Sequence, residues 1–245
     1  MSLARPVPSV SARVVVYGGA LAFVASLILF AVLYFASPRF GEPAGPWSVA
    51  DGWGPALIDI VLFTAFALHH SLFARGPLKR AMSRLFSEPL ERSVYVWIAS
   101  VLFAVVCLVW QPVPGALWSS TGIVSAGLVA LQLAGIVLSV VGASRIGGLS
   151  LAGIQQALGA ASETTPQLTQ TGLYRLVRHP IYFGWLLIVW PTPVMTGTRL
   201  VFAAISTAYL MAAIPFEERD LHRTFGTSYA AYSRRVRWRM IPWVY

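Results

Sequence analysis

The sequence predicts an all-α, polytopic integral membrane protein with about six transmembrane helices, the last two forming a hairpin that an interfacial tail helix follows. Hydrophobic residues make up 57% of the chain and charged residues 11%, about half the charged share of a soluble domain. Apolar stretches long enough to cross a bilayer recur along the chain. Lys and Arg fall mainly between these stretches. We therefore expect one membrane domain over residues 1–245.

About 20 consecutive apolar residues cross a bilayer as a helix. Four segments reach roughly that length, and two shorter ones form a hairpin around a polar turn. Pro191 and Pro193 are expected to kink or end the first of the pair early. The first segment is interpreted as an anchor, since it is longer than a signal peptide's apolar region and no cleavage site follows. The predicted spans are Val14–Ala36, Pro55–Ala74, Ser93–Trp110, Gly122–Ala143, Ile181–Met195 and Leu200–Ile214.

The distribution of basic residues predicts the orientation. Six spans place both termini and the loops 75–92 and 144–179 on one side of the membrane. Of the 18 Lys and Arg, all but Arg39 and Arg199 fall on that side. The positive-inside rule makes this side cytoplasmic, with cytoplasmic N- and C-termini. Five spans would instead move the Arg-rich tail outside, so the charge distribution favours six.

Composition also excludes several classes of function. The net charge of +9 suggests nucleic-acid binding, but the basic residues flank apolar spans, where they contact anionic lipid head groups. We expect membrane lipids as partners, no nucleic acid and no obligate protein partner. Cys107 is the only cysteine, so neither an internal disulfide nor a thiolate zinc site is expected, and no metal is predicted. The four histidines do not form two facing pairs for haem.

The segment 172–184, GLYRLVRHPIYFG, joins a polar loop to the fifth predicted span. It places Arg178, His179 and Tyr182 where that span begins. Pro180 suits the first turn of a helix, where its missing N–H costs nothing. The chain thus presents cationic and aromatic side chains at the mouth of the predicted hairpin.

The segment 216–221, FEERDL, follows the sixth predicted span. In a hairpin the start of the first helix and the end of the second lie at one surface. Glu217 and Glu218 are therefore expected to meet the RHP segment. The tail shows the three- to four-residue spacing of an amphipathic surface helix, at Leu221, Phe225, Tyr229 and Tyr232.

These residue types suit one class of ligand. Arg178 is a candidate to hold a carboxylate through paired donors. A glutamate can accept hydrogen bonds from ribose hydroxyls or an ammonium group, and tyrosine rings can pack against a purine or a sulfonium cation. Together they suit S-adenosylmethionine. The soluble methyl-donor fold is excluded because no glycine-rich strand–turn–helix is present. The alternative is that these residues are ordinary interfacial anchors.

The segments GLYRLVRHPIYFG, FEERDL and FGTSYAAYSRRVRWRMIP resemble the carboxyl-terminal core of the isoprenylcysteine carboxyl methyltransferase superfamily. The segments LHHSLFARGPLKR, LERSVYVWIASVLF and WPTPVMTG resemble its nurim-like branch, which contains bacterial methanethiol S-methyltransferases. The resemblance implies a donor-binding core over 172–242. The sequence departs from the family at 147–156, where Gly147-Gly148-Leu149-Ser150 replaces an acidic-aromatic pair. The resemblance therefore assigns no role to that loop, including Gln155 and Gln156 as contacts, and its role stays open. The implied donor-binding residues are Arg178, His179, Pro180, Tyr182, Glu217, Glu218, Tyr229 and Tyr232.

The resemblance further implies an S-adenosylmethionine-dependent methyltransferase of the bacterial inner membrane that converts methanethiol to dimethyl sulfide. A small thiol is mostly protonated at pH 7, so a base should assist it. His69 and His70 are candidates beside the acceptor, together with Arg178 as a catalytic residue. An interfacial histidine pair bonded to loop carbonyls is the alternative. Asp59, the acid deepest in a span, is either functional or a helix-packing group.

Two other functions stay open on the sequence. One is the same chemistry on a lipophilic acceptor, either a prenylcysteine carboxylate or a lipid amine. The other is non-enzymatic, an accessory membrane protein like nurim relatives or denitrification-linked homologues. Methyl-transfer assays separate the acceptors, and S-adenosylmethionine binding separates an enzyme from an accessory protein.

Overall fold

A computed structural model describes residues 10–46, 48–73, 88–147 and 167–245, which are helical apart from loops and two short paired strands. Five of these helices are long and apolar enough to cross a membrane: α1, α3, α4, α5 and α7. The prediction of a polytopic all-α membrane protein is thereby confirmed. In chain order the elements are α1 Val10–Ala36, α2 Pro38–Gly41, α3 Val49–Phe73, α4 Glu88–Val109, β1 Ala116–Ser119, α5 Gly122–Arg145, a 3-10 turn Gly172–Arg175, α6 Pro180–Val189, β2 Val194–Thr196, α7 Gly197–Phe225 and α8 Thr227–Arg235.

The fifth predicted span is much shorter as a helix. The apolar stretch predicted to run to Met195 forms a helix only to Val189, ten residues in all. Ten residues rise about 15 Å, about half the thickness of the hydrocarbon core. The expected cause is present, because Pro191 and Pro193 lack the N–H groups that would continue the helix. The chain then enters β2, which pairs antiparallel with β1.

The sixth predicted span is longer than expected. Helix α7 has 29 residues and runs through Pro215, so Glu217 and Glu218 lie inside the helix and not after it. The expectation that the helix ends near Ile214 was wrong. A proline inside a helix removes one backbone hydrogen bond, and the good helix formers Glu217, Glu218 and Arg219 carry the helix onward.

The polar tail is not one helix either. Gly226 has a φ of +53° and separates α7 from α8, a conformation that glycine adopts without steric cost. Residues predicted to share one helical face are brought together by this turn instead. Tyr229, Tyr232 and Val236 form a buried cluster against Leu168, Leu221 and Phe225.

The chain divides into two compact units. The described part of the first comprises 10–36, 61–73, 88–110 and 147. In it α1 packs on α4, where the indole Nε1 of Trp97 donates to the carbonyl of Val15 at 2.9 Å. Gly18 permits this approach, since a Cβ there would lie 2.7 Å from the indole.

The second unit comprises, in its described part, 37–46, 48–60, 111–146 and 167–245. In it α5 packs tightly on α6. A Cβ on Gly135 would lie 2.6 Å from the carbonyl oxygen of Gly184, and a Cβ on Gly184 would overlap Ser139. Gln132 Nε2 donates to the carbonyl of Ile188 at 2.8 Å. These contacts fix the position of α6, whose first turn carries the RHP segment.

Two threonine hydroxyls fix the start of α7 in the same unit, and a carboxylate binds a neighbouring segment. Thr196 Oγ1 donates to the carbonyl of Phe40 at 2.8 Å, and Thr198 Oγ1 accepts from the N–H of Val113 at 2.9 Å. Asp59 Oδ1 accepts from the N–H of Gln111 at 2.8 Å. A hydrogen bond to a neighbouring segment is what a helix-packing role of Asp59 requires, and this bond provides it. The expectation for the 147–156 loop lies outside the described residues from position 148 onward.

Candidate functional site

The RHP segment is held as an extended corner between the 3-10 turn and α6. The N–H of Arg178 donates to the carbonyl of Trp238 at 2.9 Å, and the N–H of His179 donates to the carbonyl of Arg239 at 2.8 Å. Pro180 occupies the start of α6, as predicted. The segment that follows α8 therefore positions both side chains of the corner through the main chain.

Arg178 and Glu218 form a buried ion pair. The guanidinium Nε of Arg178 donates to Glu218 Oε1 at 2.7 Å, and the two side chains are 9% and 11% exposed. Arg178 Nη1 also donates to the carbonyls of Ser233 and Val236, both at 3.1 Å. These carbonyls lie at the end of α8, where carbonyl groups lack helical partners. Arg178 therefore ties α7 to the end of α8.

His179 lies between the two glutamates. Its Nε2 is 3.4 Å from Glu218 Oε1, and its Nδ1 is 3.7 Å from Glu217 Oε2, the latter beyond hydrogen-bond range. Tyr182 donates its hydroxyl to Glu217 Oε2 at 2.7 Å. The rings of His179 and Tyr182 stack with centroids 5.3 Å apart and planes at 7°. Glu217 is 36% exposed and Glu218 11%, so the glutamates have different environments.

Buried phenols complete the cluster. Tyr232 donates its hydroxyl to the carbonyl of Tyr174 at 2.8 Å. The hydroxyl of Tyr229 is buried and interacts with the Glu218 carboxylate. Burial, and then the charge of Glu218, raise the pKa of Tyr229. Burial also raises the pKa of Tyr232 and raises that of Tyr174 to about 12. These phenols therefore stay neutral donors at physiological pH.

Arg239 is a site residue that sequence reasoning did not single out. Its Nε lies 3.3 Å from Glu218 Oε2, the carboxylate oxygen that Arg178 does not use. Its Nη1 donates to the hydroxyl of Tyr245 at 3.1 Å. The pKa of Arg239 is raised, mainly by this hydrogen bond. Partial burial opposes the rise, and the negative charge of Glu218 adds to it. The signal in the sequence is the arginine-rich run 234–239, whose charge also serves membrane orientation.

The structure brings most of the predicted site residues into one cluster of the second unit. His69 and His70 lie in the first unit, so their role beside an acceptor stays a prediction. There the Tyr95 hydroxyl lies 2.8 Å from His70 Nδ1, and the Tyr95 ring stacks with His69 at 5.6 Å. The clustered residues are Arg178, His179, Pro180, Tyr182, Glu217, Glu218, Tyr229 and Tyr232.

Comparison with known proteins gives a consistent set of relatives. The family model described as phospholipid methyltransferase matches residues 123–228. Methanethiol S-methyltransferase 2 of Bradyrhizobium diazoefficiens is 36% identical over 74% of this chain and 71% of its own length. Methanethiol S-methyltransferase of Mycobacterium tuberculosis is 34% identical over 94% and 91%. Nurim of Danio rerio is 29% identical over 71% and 69%. No solved structure shows significant similarity.

Proposed function

The chain belongs to the family of membrane methyltransferases that includes the methanethiol S-methyltransferases, and from this premise we propose that it methylates a small thiol with S-adenosylmethionine. The acceptor in this proposal is methanethiol, which the names of these relatives suggest. Methyl transfer to its sulfur then gives dimethyl sulfide. The same proposal places the protein in a bacterial inner membrane, with both termini in the cytoplasm. The basic residues of its loops support that orientation.

One observation carries the donor assignment. The RHP corner and the acidic pair, about 40 residues apart in sequence, form one cluster in which Arg178 Nε lies 2.7 Å from Glu218 Oε1. Had the corner and the glutamates been at opposite ends of α6 and α7, no single ligand would reach both. The cluster is the arrangement that a donor site between helices requires.

The residues of the cluster fit S-adenosylmethionine chemically. This donor combines a positively charged sulfur, an ammonium, a carboxylate, ribose hydroxyls and a purine. The half-exposed carboxylate of Glu217 suits a cationic group, and the stacked rings of His179 and Tyr182 offer an aromatic face. The buried hydroxyl of Tyr229 is a donor beside the Glu218 carboxylate. We assign donor binding to this set, with Pro180 and Tyr232 as its supports.

The reaction is an in-line displacement. The bound donor supplies a methyl group on a positively charged sulfur, which makes that methyl electrophilic. The acceptor thiolate forms a new carbon–sulfur bond as the old bond breaks, and the electron pair stays with the departing sulfur. The protein's task is to align the two sulfurs and to exclude water.

The proton of the acceptor thiol needs a base. His70 is exposed whereas His69 is buried, so His70 is the better candidate to reach a soluble thiol. Histidine titrates near neutrality, where a small thiol is still protonated. We assign this step to His70, with His69 stacked on Tyr95 as its support. If His70 is the base, a His70→Gln variant loses activity at pH 7 and recovers it as rising pH ionises the thiol.

A methyl-transfer assay tests the function as a whole. Purified protein in detergent or nanodiscs is given radiolabelled S-adenosylmethionine with methanethiol, a farnesylated cysteine or phosphatidylethanolamine. The expected result is labelled dimethyl sulfide from methanethiol and little product from the others. Turnover of the farnesylated cysteine alone would reject the thiol assignment but keep the donor site. Calorimetry without any heat of S-adenosylmethionine binding would instead favour a non-enzymatic accessory protein.

A further inference from the structure

Residues 240–245 form a closed turn, which we call the hook. Its main-chain N–H groups donate to carbonyl oxygens of the hook itself, at 2.8 to 3.1 Å, from Met240, Ile241, Val244 and Tyr245. Pro242 has no N–H group to satisfy. A lipid environment requires that main-chain polar groups be bonded within the protein. The main chain of the hook is therefore suited to lie in contact with lipid.

The hook packs against α7 well before the end of that helix. Met240 belongs to a buried cluster with Leu210 and Ile214 of α7. Ile241 and Tyr245 pack against the same cluster. At 1.5 Å per residue, the two α7 residues lie roughly 20 to 26 Å from the start of the helix. The hydrocarbon core is about 30 Å thick, so a helix that begins at one membrane surface has both residues inside the core. The hook therefore lies at membrane depth.

Two large apolar side chains of the hook point away from the protein. Trp243 is 76% exposed and Val244 is 72% exposed. Trp243 also has a φ of +62° and is the only non-glycine residue with a positive φ in the described part of the chain. This conformation is sterically unfavourable for a residue with a Cβ, and strained residues of this kind are concentrated at functional contacts. The strained turn directs an indole outward.

The surroundings indicate that lipid covers these side chains. The helix against which the hook packs is long and apolar enough to cross a membrane. Phe216 of that helix is also exposed, and the guanidinium carbon of Arg219 lies 5.3 Å from its ring centroid. Aromatic rings and snorkelling arginines are typical of the interface between acyl chains and head groups. Tryptophan is enriched at that interface, because its ring is apolar and its N–H is polar.

Arg239 joins the hook to the RHP corner. Its Nη1 donates to the hydroxyl of Tyr245 at 3.1 Å, and its guanidinium carbon lies 5.4 Å from the centroid of the Tyr245 ring. Its Nε lies 3.3 Å from Glu218 Oε2. Its carbonyl oxygen accepts from the N–H of His179 at 2.8 Å. A displacement of the hook is therefore passed to the corner through the side chain and the main chain of one residue.

We propose that the hook is a lipid anchor, which inserts Trp243 and Val244 into the leaflet beside the RHP corner and thereby keeps that corner ordered. The anchor goes beyond the proposed function, because it requires no ligand. In lipid the two side chains lose their contact with water, which stabilises the strained turn. Without that contact the hook opens more often, and Arg239 no longer holds His179 in place.

Spin-label measurements of depth test the insertion. Full-length protein with a nitroxide at Val244→Cys is placed in nanodiscs of phosphatidylethanolamine and phosphatidylglycerol. The only native cysteine, Cys107, is buried, so the label is selective. The label should collide several times more often with oxygen, which dissolves in lipid, than with a water-soluble nickel chelate. A label at Arg234→Cys, an exposed position of α8, is the control and should show the reverse.

Two outcomes of this measurement reject the anchor. Collisions of the Val244→Cys label mainly with the nickel chelate would place the hook in water. Few collisions with either reagent would show that a second copy of the chain or another protein covers the hook.

Hydrogen exchange tests the link between the hook and the corner. Trp243→Asn removes the indole but keeps a residue that tolerates the left-handed conformation. Exchange at the N–H groups of Arg178 and His179 should become roughly 10-fold faster, the effect expected when one large apolar side chain loses its burial. Val244→Ser, which keeps the indole, should give a smaller increase. Trp53→Asn is the matched control, because Trp53 is 61% exposed in α3, and it should exchange like the wild type.

Unchanged exchange at the corner in both hook variants would overturn the link. An equal increase in Trp53→Asn would also overturn it, because the effect would then not be specific to the hook. Neither measurement uses S-adenosylmethionine, so a failure of the anchor is distinguishable from a failure of the proposed function.

Discussion

Arg178 and Glu218, separated by 40 positions in the chain, are joined by a bond of 2.7 Å between Nε and Oε1. The pair links the corner that begins α6 to Glu218, which lies about two turns before the end of α7. Because Arg178 also binds two carbonyls at the end of α8, one side chain fixes three elements of the site. A change that breaks this pair should therefore disturb both the stability of the site and its ability to bind a ligand.

Replacing Arg178 should therefore lower the stability of the folded protein, because this side chain holds three elements together. Arg178→Gln removes the partner of Glu218 Oε1 and of two carbonyls, while Arg239 still faces Oε2. The cost should therefore lie below the about 3 to 5 kcal/mol of a fully broken buried pair. We expect a clearly lower melting temperature by intrinsic fluorescence. Arg175→Gln is the control, because Arg175 is exposed in the preceding turn. Equal melting temperatures for the two variants would contradict this assignment.

Replacing Glu217 should weaken ligand binding and hardly change stability. Its side chain is 36% exposed, so Glu217→Gln should leave the melting temperature nearly unchanged. Loss of a charge that faces a cationic ligand group should weaken S-adenosylmethionine binding about 10-fold, as is usual for a charged hydrogen bond. Calorimetry measures the change, with Asp220→Asn as the control because Asp220 pairs with exposed Arg223. Unchanged affinity in Glu217→Gln would remove this residue from the site.

The stacked rings of His179 and Tyr182 allow the aromatic face to be separated from the hydroxyl. Tyr182→Phe keeps the ring 5.3 Å from His179 but loses the bond to Glu217. Tyr182→Leu loses both. We expect a modest rise in KM for the donor in the first variant and a larger rise in the second. Identical KM values for Tyr182→Phe and Tyr182→Leu would show that the ring contributes nothing to donor binding.

The glycine contact between α5 and α6 should control the position of the RHP corner. A Cβ on Gly184 would overlap Ser139 and meet the carbonyl of Gly135, so Gly184→Ala should force the helices apart. Overpacking of this kind costs about 1 to 3 kcal/mol. Gly127→Ala on α5 meets no atom within 4 Å and should be neutral or mildly stabilising. Thermal melting and donor affinity, measured together, should fall only in Gly184→Ala.

Alkaline pH should destabilise the protein through its buried phenols. Burial raises the pKa of Tyr174 from 10.0 to about 12, so the folded state favours the neutral phenol. Its contribution is full below pH 10 and is lost as pH rises towards 12. A shift of this size corresponds to at most about 2 to 3 kcal/mol. Tyr174→Phe should therefore show a shallower fall in melting temperature between pH 10 and 12.

The sequence was sufficient for four of the long spans and for the pairing of motifs. Apolar length alone marks four of the long helices, because a bilayer requires about 20 apolar residues. Pro191 and Pro193 predicted the early end of α6, because they lack the N–H groups that would continue the helix. Hairpin topology then required the RHP corner to meet Glu217 and Glu218, and the structure places them in one cluster.

What only the tertiary structure decided is how each charge is used. From the sequence, Arg178 is the candidate to hold a ligand carboxylate, and Arg239 is only one of the basic residues of the tail. In the structure, burial and three committed donors make Arg178 a tie between helices, while Arg239 stays partly exposed. The turn at Gly226 likewise brings Tyr229 and Tyr232 back onto Leu221 and Phe225, which a single continuous helix could not do. Helical periodicity describes neighbours along one element. Charge pairing and burial depend on elements that meet from distant parts of the chain, and that meeting gives each side chain its role.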